Sequence, residues 1–327
     1  MLALLCVKDE AAQLVEWLAH HRALGVTDVL AFSNDCSDGT EALLDRFADM
    51  GWLVHLRARA GQRGVQWKAL REAAAHPLFD AADWVLPIDV DEFVMPRAGG
   101  LVDLIAAVPG ADCIALTWRM FGSSGFVRYA PGRVTERFVR CAPDPLNWGW
   151  RCAMVKTLWR RGSHGRAGVH RPLDPVGAPV WVDSNGDRLE APRVFADYRR
   201  PAYGLVQLNH YALGDAESFV VKAARGRANR EGSPVDTGYW AERNLNQAED
   251  RRAAVPLPLM EEWLADGEIA RLHGEGVAWR QARFAELMRE EAWRDLYTRV
   301  VMAGESRAFS ADEAAALAAL ARGLPAR

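Results

Sequence analysis

The sequence predicts an α/β protein built on a mostly parallel sheet with helices on both faces, and three observations carry that prediction. Apolar runs of strand length alternate with helix-period segments through residues 1–118, the pattern of right-handed βαβ units. The densest carboxylate cluster, Asp89-Val90-Asp91-Glu92, follows directly on the fourth such run. The chain has 327 residues, 50% of them hydrophobic and 25% charged, so it can bury a full core without disulfide or metal staples.

The elements follow in order. Leu2–Val7 is a fully apolar run suited to a buried parallel strand. Asp9 is expected to cap a helix carrying Leu14, Trp17, Leu18, His21 and Leu24 at helical spacing and ending at Gly25. Val29–Phe32 is the second strand, and a turn-rich segment from Ser33 to Thr40 leads into a helix with Leu43, Leu44 and Phe47, stopped at Gly51. Trp52–Leu56, a helix over Gln66–Ala75 and a strand over Trp84–Ile88 complete the alternation, with Ile114–Trp118 as a further strand. From Phe121 to Pro201 the chain is rich in Gly, Pro, Arg and Trp, which predicts a smaller irregular subsheet with short strands at Val134–Val139, Ala153–Leu158 and Pro179–Val182. After Asn209-His210-Tyr211 the pattern turns helical: Glu217–Arg227, Leu259–Leu272, Trp279–Val301, and Ala311–Arg322 with Ser310 as its cap. The expected organisation is a domain over 1–230, divided into halves 1–118 and 119–230, and a helical C-terminal extension over 231–327.

Composition narrows the function classes. Forty basic against 43 acidic residues give a net charge of −3, which argues against a nucleic-acid binder. The five cysteines are scattered and form no C-x-x-C pair, as expected of reduced thiols. No run approaches the roughly 18–20 apolar residues of a membrane span, and Met1–Val7 is too short for a signal peptide. A cytoplasmic protein is therefore expected. A peripheral membrane contact and the oligomeric state are left open.

Asp89 and Asp91 stand two apart at the carboxyl end of a strand. On extended backbone they would share one side and face the crevice where open α/β sheets bind ligands. Paired carboxylates repel, so Mg²⁺ or Mn²⁺ is the natural partner, with a substrate's phosphates completing the coordination. An acidic loop that merely caps the next helix is the structural alternative.

At these residues the chain resembles a family 2-type glycosyltransferase of the GT-A fold, in particular the bacterial group related to family 92. Lys8-Asp9-Glu10, followed by Glu16-Trp17 and His20 to Val26, resembles the family's opening segment. The turn from Ser33 to Thr40, the D-x-D at Asp89–Asp91, and Asn209-His210-Tyr211 followed by Glu217 to Gly226 supply the rest, so the resemblance spans residues 1 to about 226. It departs from the pattern at Asp9, where Asn is usual, and at Ser33, where Asp is usual.

The resemblance implies a metal-dependent transferase that moves a sugar from a nucleotide-diphosphate sugar to an acceptor hydroxyl, saccharide or other, with inversion. Asp89, Asp91 and His210 would hold the Mn²⁺ or Mg²⁺. Lys8, Asp9, Glu10, Asn34, Asp38, Lys68, Asp89 and Lys222 would meet the donor, with Arg225 beside Lys222. Asp38 has a second reading as the cap of the following helix. The chain has only four lysines, Lys8, Lys68, Lys156 and Lys222; Lys222, with Arg225, is the preferred partner of a departing diphosphate, and Lys68 and Lys8 are further candidates. Glu136 and Glu217, with Asp144 as a third, are the candidate bases. Trp118, Trp148 and Trp150 would offer aromatic faces to an acceptor sugar, while Trp17, Trp52, Trp84, Trp279 and Trp293 fit core packing. Two other classes remain. A nucleotidyltransferase would usually carry a Gly-rich loop after the first strand, which this chain lacks. A non-catalytic carbohydrate-binding protein would be expected to have lost the D-x-D.

Overall fold

The computed structural model describes residues 1–58, 64–147, 152–197, 200, 202–226 and 235–323. The first third alternates as expected: β1 (Leu2–Val7), α1 (Ala11–Ala23), β2 (Asp28–Ser33), α2 (Thr40–Asp49), β3 (Val54–Arg57), α3 (Val65–Ala73), α4 (Pro77–Ala81) and β4 (Trp84–Pro87). Then come β5 (Glu92–Pro96), α5 (Leu101–Ala106), β6 (Cys113–Met120), α6 (Val134–Arg137), β7 (Arg140–Cys141) and β8 (Val155–Arg160). Short strands β9 (His164–Arg166), β10 (Leu173–Pro175), β11 (Trp181–Val182) and β12 (Arg188–Leu189) precede β13 (Val206–His210). The remainder is α7 (Ala216–Arg225), α8 (Thr237–Arg243), β14 (Ala248–Glu249), α9 (Pro258–Ala265), α10 (Gly267–Leu287), α11 (Glu291–Ala303) and α12 (Ala311–Gly323).

Among the described residues, ten strands form one mixed sheet, ordered β12-β11-β6-β8-β4-β1-β2-β3, with β13 joining β6 to β5. The strands β3, β2, β1 and β4 are parallel. β8 enters antiparallel between β4 and β6, and β13 pairs antiparallel with β5. Apolar side chains of β1 alternate between two cores. Ala3, Leu5 and Val7 pack with α1 and α2, while Leu2 and Leu4 pack with α3, Phe79 and Trp159. Both faces of the sheet are thus covered, which is why these strands are apolar throughout. This is the expected architecture: a mixed central sheet flanked by helices, followed by a helical C-terminal region.

Three expected elements differ. Asp9 does not cap α1. Its backbone is left-handed, with φ of +50°, and its carboxylate accepts from Ser37 N (2.6 Å) instead. The cap comes from the loop after the neighbouring strand β2, where Asp38 accepts Ala11 N (2.8 Å), and Asp38 also accepts Thr40 N (2.9 Å) at the start of α2. One carboxylate therefore ties two helix N-termini together, and the capping reading of Asp38 is the one observed. Val134–Val139 is not a strand, because the buried Glu16 carboxylate accepts Val134 N (2.7 Å) and Thr135 Oγ1 (2.6 Å) and starts the helical turn α6 there. The long C-terminal helices are also divided differently. Asp266 accepts Glu268 N and Ile269 N, both at 3.0 Å, and restarts the helix as α10. Ser310 and Glu313 cap α12 reciprocally, as expected of Ser310.

Candidate active site

The site lies at the carboxyl ends of β1 and β4, where the chain turns through 8–10 and 89–92, and is closed by the segment from Tyr211 into α7. Asp89 to Glu92 is not extended. Glu92 N donates to Asp89 O (3.1 Å), closing a reverse turn that sends β5 back along β13. Trp17, buried on α1, clamps this turn by donating Nε1–H to Asp89 O (3.0 Å) and Glu92 O (3.1 Å). The reversal sends the two aspartates to different partners, so the expectation that they share one side is corrected.

Asp89 Oδ2 accepts from Lys156 Nζ (2.8 Å) and Oδ1 from Gln66 Nε2 (3.1 Å). Glu92, fully buried, lies 3.6 Å from the same ammonium and accepts from Asp89 N (2.9 Å) and Trp118 Nε1 (2.8 Å). Burial pushes the Glu92 carboxyl well above the usual carboxylate range, against the pull of Lys156. Burial also works against the Lys156 charge, but Asp89 and Glu92 outweigh it and raise its pKa.

Asp91 faces the cleft. Its Oδ2 accepts from Lys222 Nζ (2.8 Å) and lies 3.6 Å from His210 Nε2. Burial opposes the Asp91 charge, but Lys222 and His210 outweigh it and hold the carboxyl well below its ordinary range. Burial lowers the His210 pKa despite Asp91, which favours the neutral imidazole a metal ligand must be. Its Nδ1 is buried with no partner among the described residues. Lys222 also donates to Ala212 O (2.7 Å). On the opposite wall Glu10 binds Arg225, which donates also to the Asp9 carbonyl (3.3 Å), and Arg280 of α10 (3.2 Å). The cleft between these walls is lined by Glu10, Asp91, Tyr211, Lys222, Arg225 and Arg280 among others.

The other expected residues are dispersed. Asp9, at the cleft edge, is turned to Ser37. Asn34 is buried beside Val7, its N donating to Val7 O (3.2 Å). Ser33 is fully buried and held between Glu41 Oε1 (3.1 Å) and His55 Nε2 (2.9 Å). Lys68 pairs with Glu72 one turn along α3 (3.6 Å). Lys8 offers its carbonyl to Arg225. Neither expected base lines the cleft: half-exposed Glu136 pairs with Arg133, and Glu217 Oε2 accepts Tyr129 N (3.0 Å). Asp144 lines a second, smaller cavity with Tyr203. Trp118 is no exposed platform. Buried, with its indole on Glu92 and its ring 4.2 Å from that of His210, it lines the second cavity rather than the cleft. Trp148 and Trp150 lie outside the described residues.

Asp89, Asp91 and His210 are not gathered into one donor group, and no group of three His, Cys, Asp or Glu side chains able to hold a metal occurs among the described residues. The residues present still fit a hard divalent cation through two donors, Asp91 Oδ2 and the neutral His210 Nε2. Ions of this kind often take one or two protein ligands and complete their shell with phosphate and water. Asp89 is bound instead to Lys156. Lys156, Trp17 and Arg280 were missed from sequence. The available signal was a lone lysine inside the apolar strand Val155–Leu158, where a charge can persist only if paired.

Residues 3–133 match glycosyltransferase family 92, a stretch that includes the turn at 89–92 and stops before Lys156, His210 and Lys222. No curated protein matches the chain. Among solved structures, S. aureus TarS 1-349 is similar at 12% identity over 49% of this chain and 46% of that chain, with a TM-score of 0.31. HddC from Yersinia pseudotuberculosis is similar at 8% identity over 56% of this chain and 88% of that one, with a TM-score of 0.32. Glucosyl-3-phosphoglycerate synthase from Mycobacterium tuberculosis, in complex with Mn²⁺, uridine-diphosphate and glucosyl-3-phosphoglycerate, is 19% identical over 36% of this chain and 43% of that one, with a TM-score of 0.25. The chain spans less than half the length of the TarS structure. Likeness of that degree says nothing about this chain's chemistry. The match over residues 3–133, together with the architecture, supports a glycosyltransferase-type enzyme in general. No helix among the described residues is long and apolar enough to cross a membrane.

Proposed function

We propose that the protein transfers a sugar from a nucleotide-diphosphate sugar to an acceptor hydroxyl, with inversion, in the cleft between Glu10 and Asp91. The observation that carries this reading is the convergence of Asp91, His210 and Lys222 on one carboxylate oxygen at the cleft wall. Asp91 and His210 are the residues that would hold a Mn²⁺ or Mg²⁺, which when bound supplies a Lewis-acidic clamp on the diphosphate.

The chain's own residues supply the rest. Lys222 is one-fifth exposed at the cleft and carries a proton that burial disfavours and Asp91 secures. It is positioned to share that ammonium with the negative charge that builds on the departing diphosphate. Lys156 keeps Asp89 and Glu92 from repelling each other, so the turn that aims Asp91 into the cleft stays closed. Trp118 packs its ring against His210 from the buried side, and Tyr211 lines the cleft.

The test is turnover of a nucleotide-sugar panel by Asp91→Ala. The substitution leaves the Lys222 ammonium without its carboxylate and should cost stability, so turnover is read only after melting shows a folded variant. Its transfer or hydrolysis should fall at least about 100-fold, the scale on which such charge-stabilising groups act. Unchanged turnover in a folded Asp91→Ala protein would refute the assignment.

A further inference from the structure

The helical C-terminal region reaches into the cleft at one point. His273, Gly276 and Arg280 share a face of α10, and that face crosses the first turn of α1. His273 Nδ1 lies 3.4 Å from Ala11 O, and a Cβ on Gly276 would stand 2.4 Å from Ala11 Cβ. Only a glycine permits so close a crossing, and the crossing sets Arg280, one turn on, over Glu10. The guanidinium is nearly buried, with its side chain 9% exposed, and its single hydrogen bond among the described residues is to Glu10 Oε2 (3.2 Å). Glu10 also binds Arg225. One carboxylate therefore serves two guanidinium groups at the cleft wall. Arg280 lines the cleft and retains N–H donors that no group among the described residues takes up.

We propose that α10 is part of the active site and that Arg280, with Arg225, binds the diphosphate of the donor while Glu10 holds both side chains in place. A planar fork of donors suits phosphate oxygens. This rests on the donor reading above and extends it to a residue outside the family match, at the far end of the chain from the turn at 89–92. Arg280 is a binding residue in this proposal, and Gly276 is the residue that positions it.

The test is calorimetric titration of the full chain with UDP, GDP and inorganic pyrophosphate, alongside ligand-free melting. The wild type should bind pyrophosphate and at least one nucleotide. Arg280→Ala should bind the same ligands at least about tenfold more weakly, with its ligand-free Tm little changed. Arg280→Lys keeps the charge but loses the fork, and should show a severalfold loss; it carries the test if the alanine variant does not fold. Wild-type affinity for pyrophosphate in either folded variant would overturn the proposal and leave Arg280 a staple between α10 and α1. If the wild type binds none of the three ligands, the donor reading itself fails, an outcome distinct from the loss of Arg280's part in it.

Discussion

Replacing Lys156 by methionine tests the charge balance of the site directly. The ammonium is 1% exposed, lies 2.8 Å from Asp89 and 3.6 Å from fully buried Glu92, and is the only cation bonded to either among the described residues. Removing one member of a buried pair typically costs about 3–5 kcal/mol, because the other charge is left without compensation. Asp89 is one-third exposed, so water recovers part of its share, and Glu92 can take up a proton. Both favour the low end, about 3 kcal/mol. At roughly 2 °C per kcal/mol for a chain of this size, Tm should fall by about 6 °C.

The loss should depend on pH. The folded Glu92 pKa is already raised, so its stability contribution is present below the ordinary carboxylate value and lost as pH rises through the folded value. Taking away Lys156 raises that folded value further. The deficit should therefore be small near pH 5 and larger at pH 8, measured by melting and by urea unfolding. Adding Glu92→Gln to Lys156→Met should recover part of it, with a coupling of about 1 kcal/mol or more. A variant as stable as the wild type at pH 8, or strict additivity of the two substitutions, would refute the reasoning.

Two further predictions are independent of the cleft. Burial pushes all five thiols up, Cys6, Cys36 and Cys113 to about 12 and Cys141 and Cys152 to about 11. Iodoacetamide at pH 8 should thus modify the native protein slowly at every cysteine and the urea-unfolded protein at all five rapidly; fast labelling of any one thiol in the native state would contradict this. Burial opposes the charge of Asp250, but hydrogen bonds from Arg252 hold its carboxyl at about 2, below its ordinary 3.8. The stability it contributes is present above 3.8 and lost as pH falls toward 2, so Asp250→Asn should cost on the order of 2 kcal/mol at pH 7 and almost nothing at pH 2. An equal cost at both pH values would show that the ion pair is not its source.

Much of the fold was legible because the strands β1 to β4 are buried on both faces and so are marked by continuous apolar runs. Gly25 and Gly51 punctuate the helices between them. What was not legible depended on partners distant in sequence. Asp9 has the chemistry of a helix cap, but Asp38, 27 residues from Ala11, occupies that place. Val134–Val139 has strand composition, yet Glu16 is 118 residues away and supplies the acceptors that make it helical. The site divides in the same manner. Asp91, His210 and Lys222 were marked by motif and do meet. Lys156 and Arg280 lie in a strand and a helix whose local patterns carry no trace of the turn or the carboxylate they serve.

The two lysines give the two aspartates different work. Lys156 is sealed in the sheet, and its partner Glu92 is fully buried with it. A ligand in the cleft can therefore do little to that pair, while Asp89, one-third exposed, is held by Lys156 and Gln66. Lys222 is open to the cleft, and its partner Asp91 shares the oxygen that His210 approaches. There an arriving phosphate or cation must redistribute charge among three groups already in contact. The D-x-D of this chain thus sends one carboxylate to a lysine sealed in the sheet and the other to a lysine at the cleft, the reverse turn setting them on different partners.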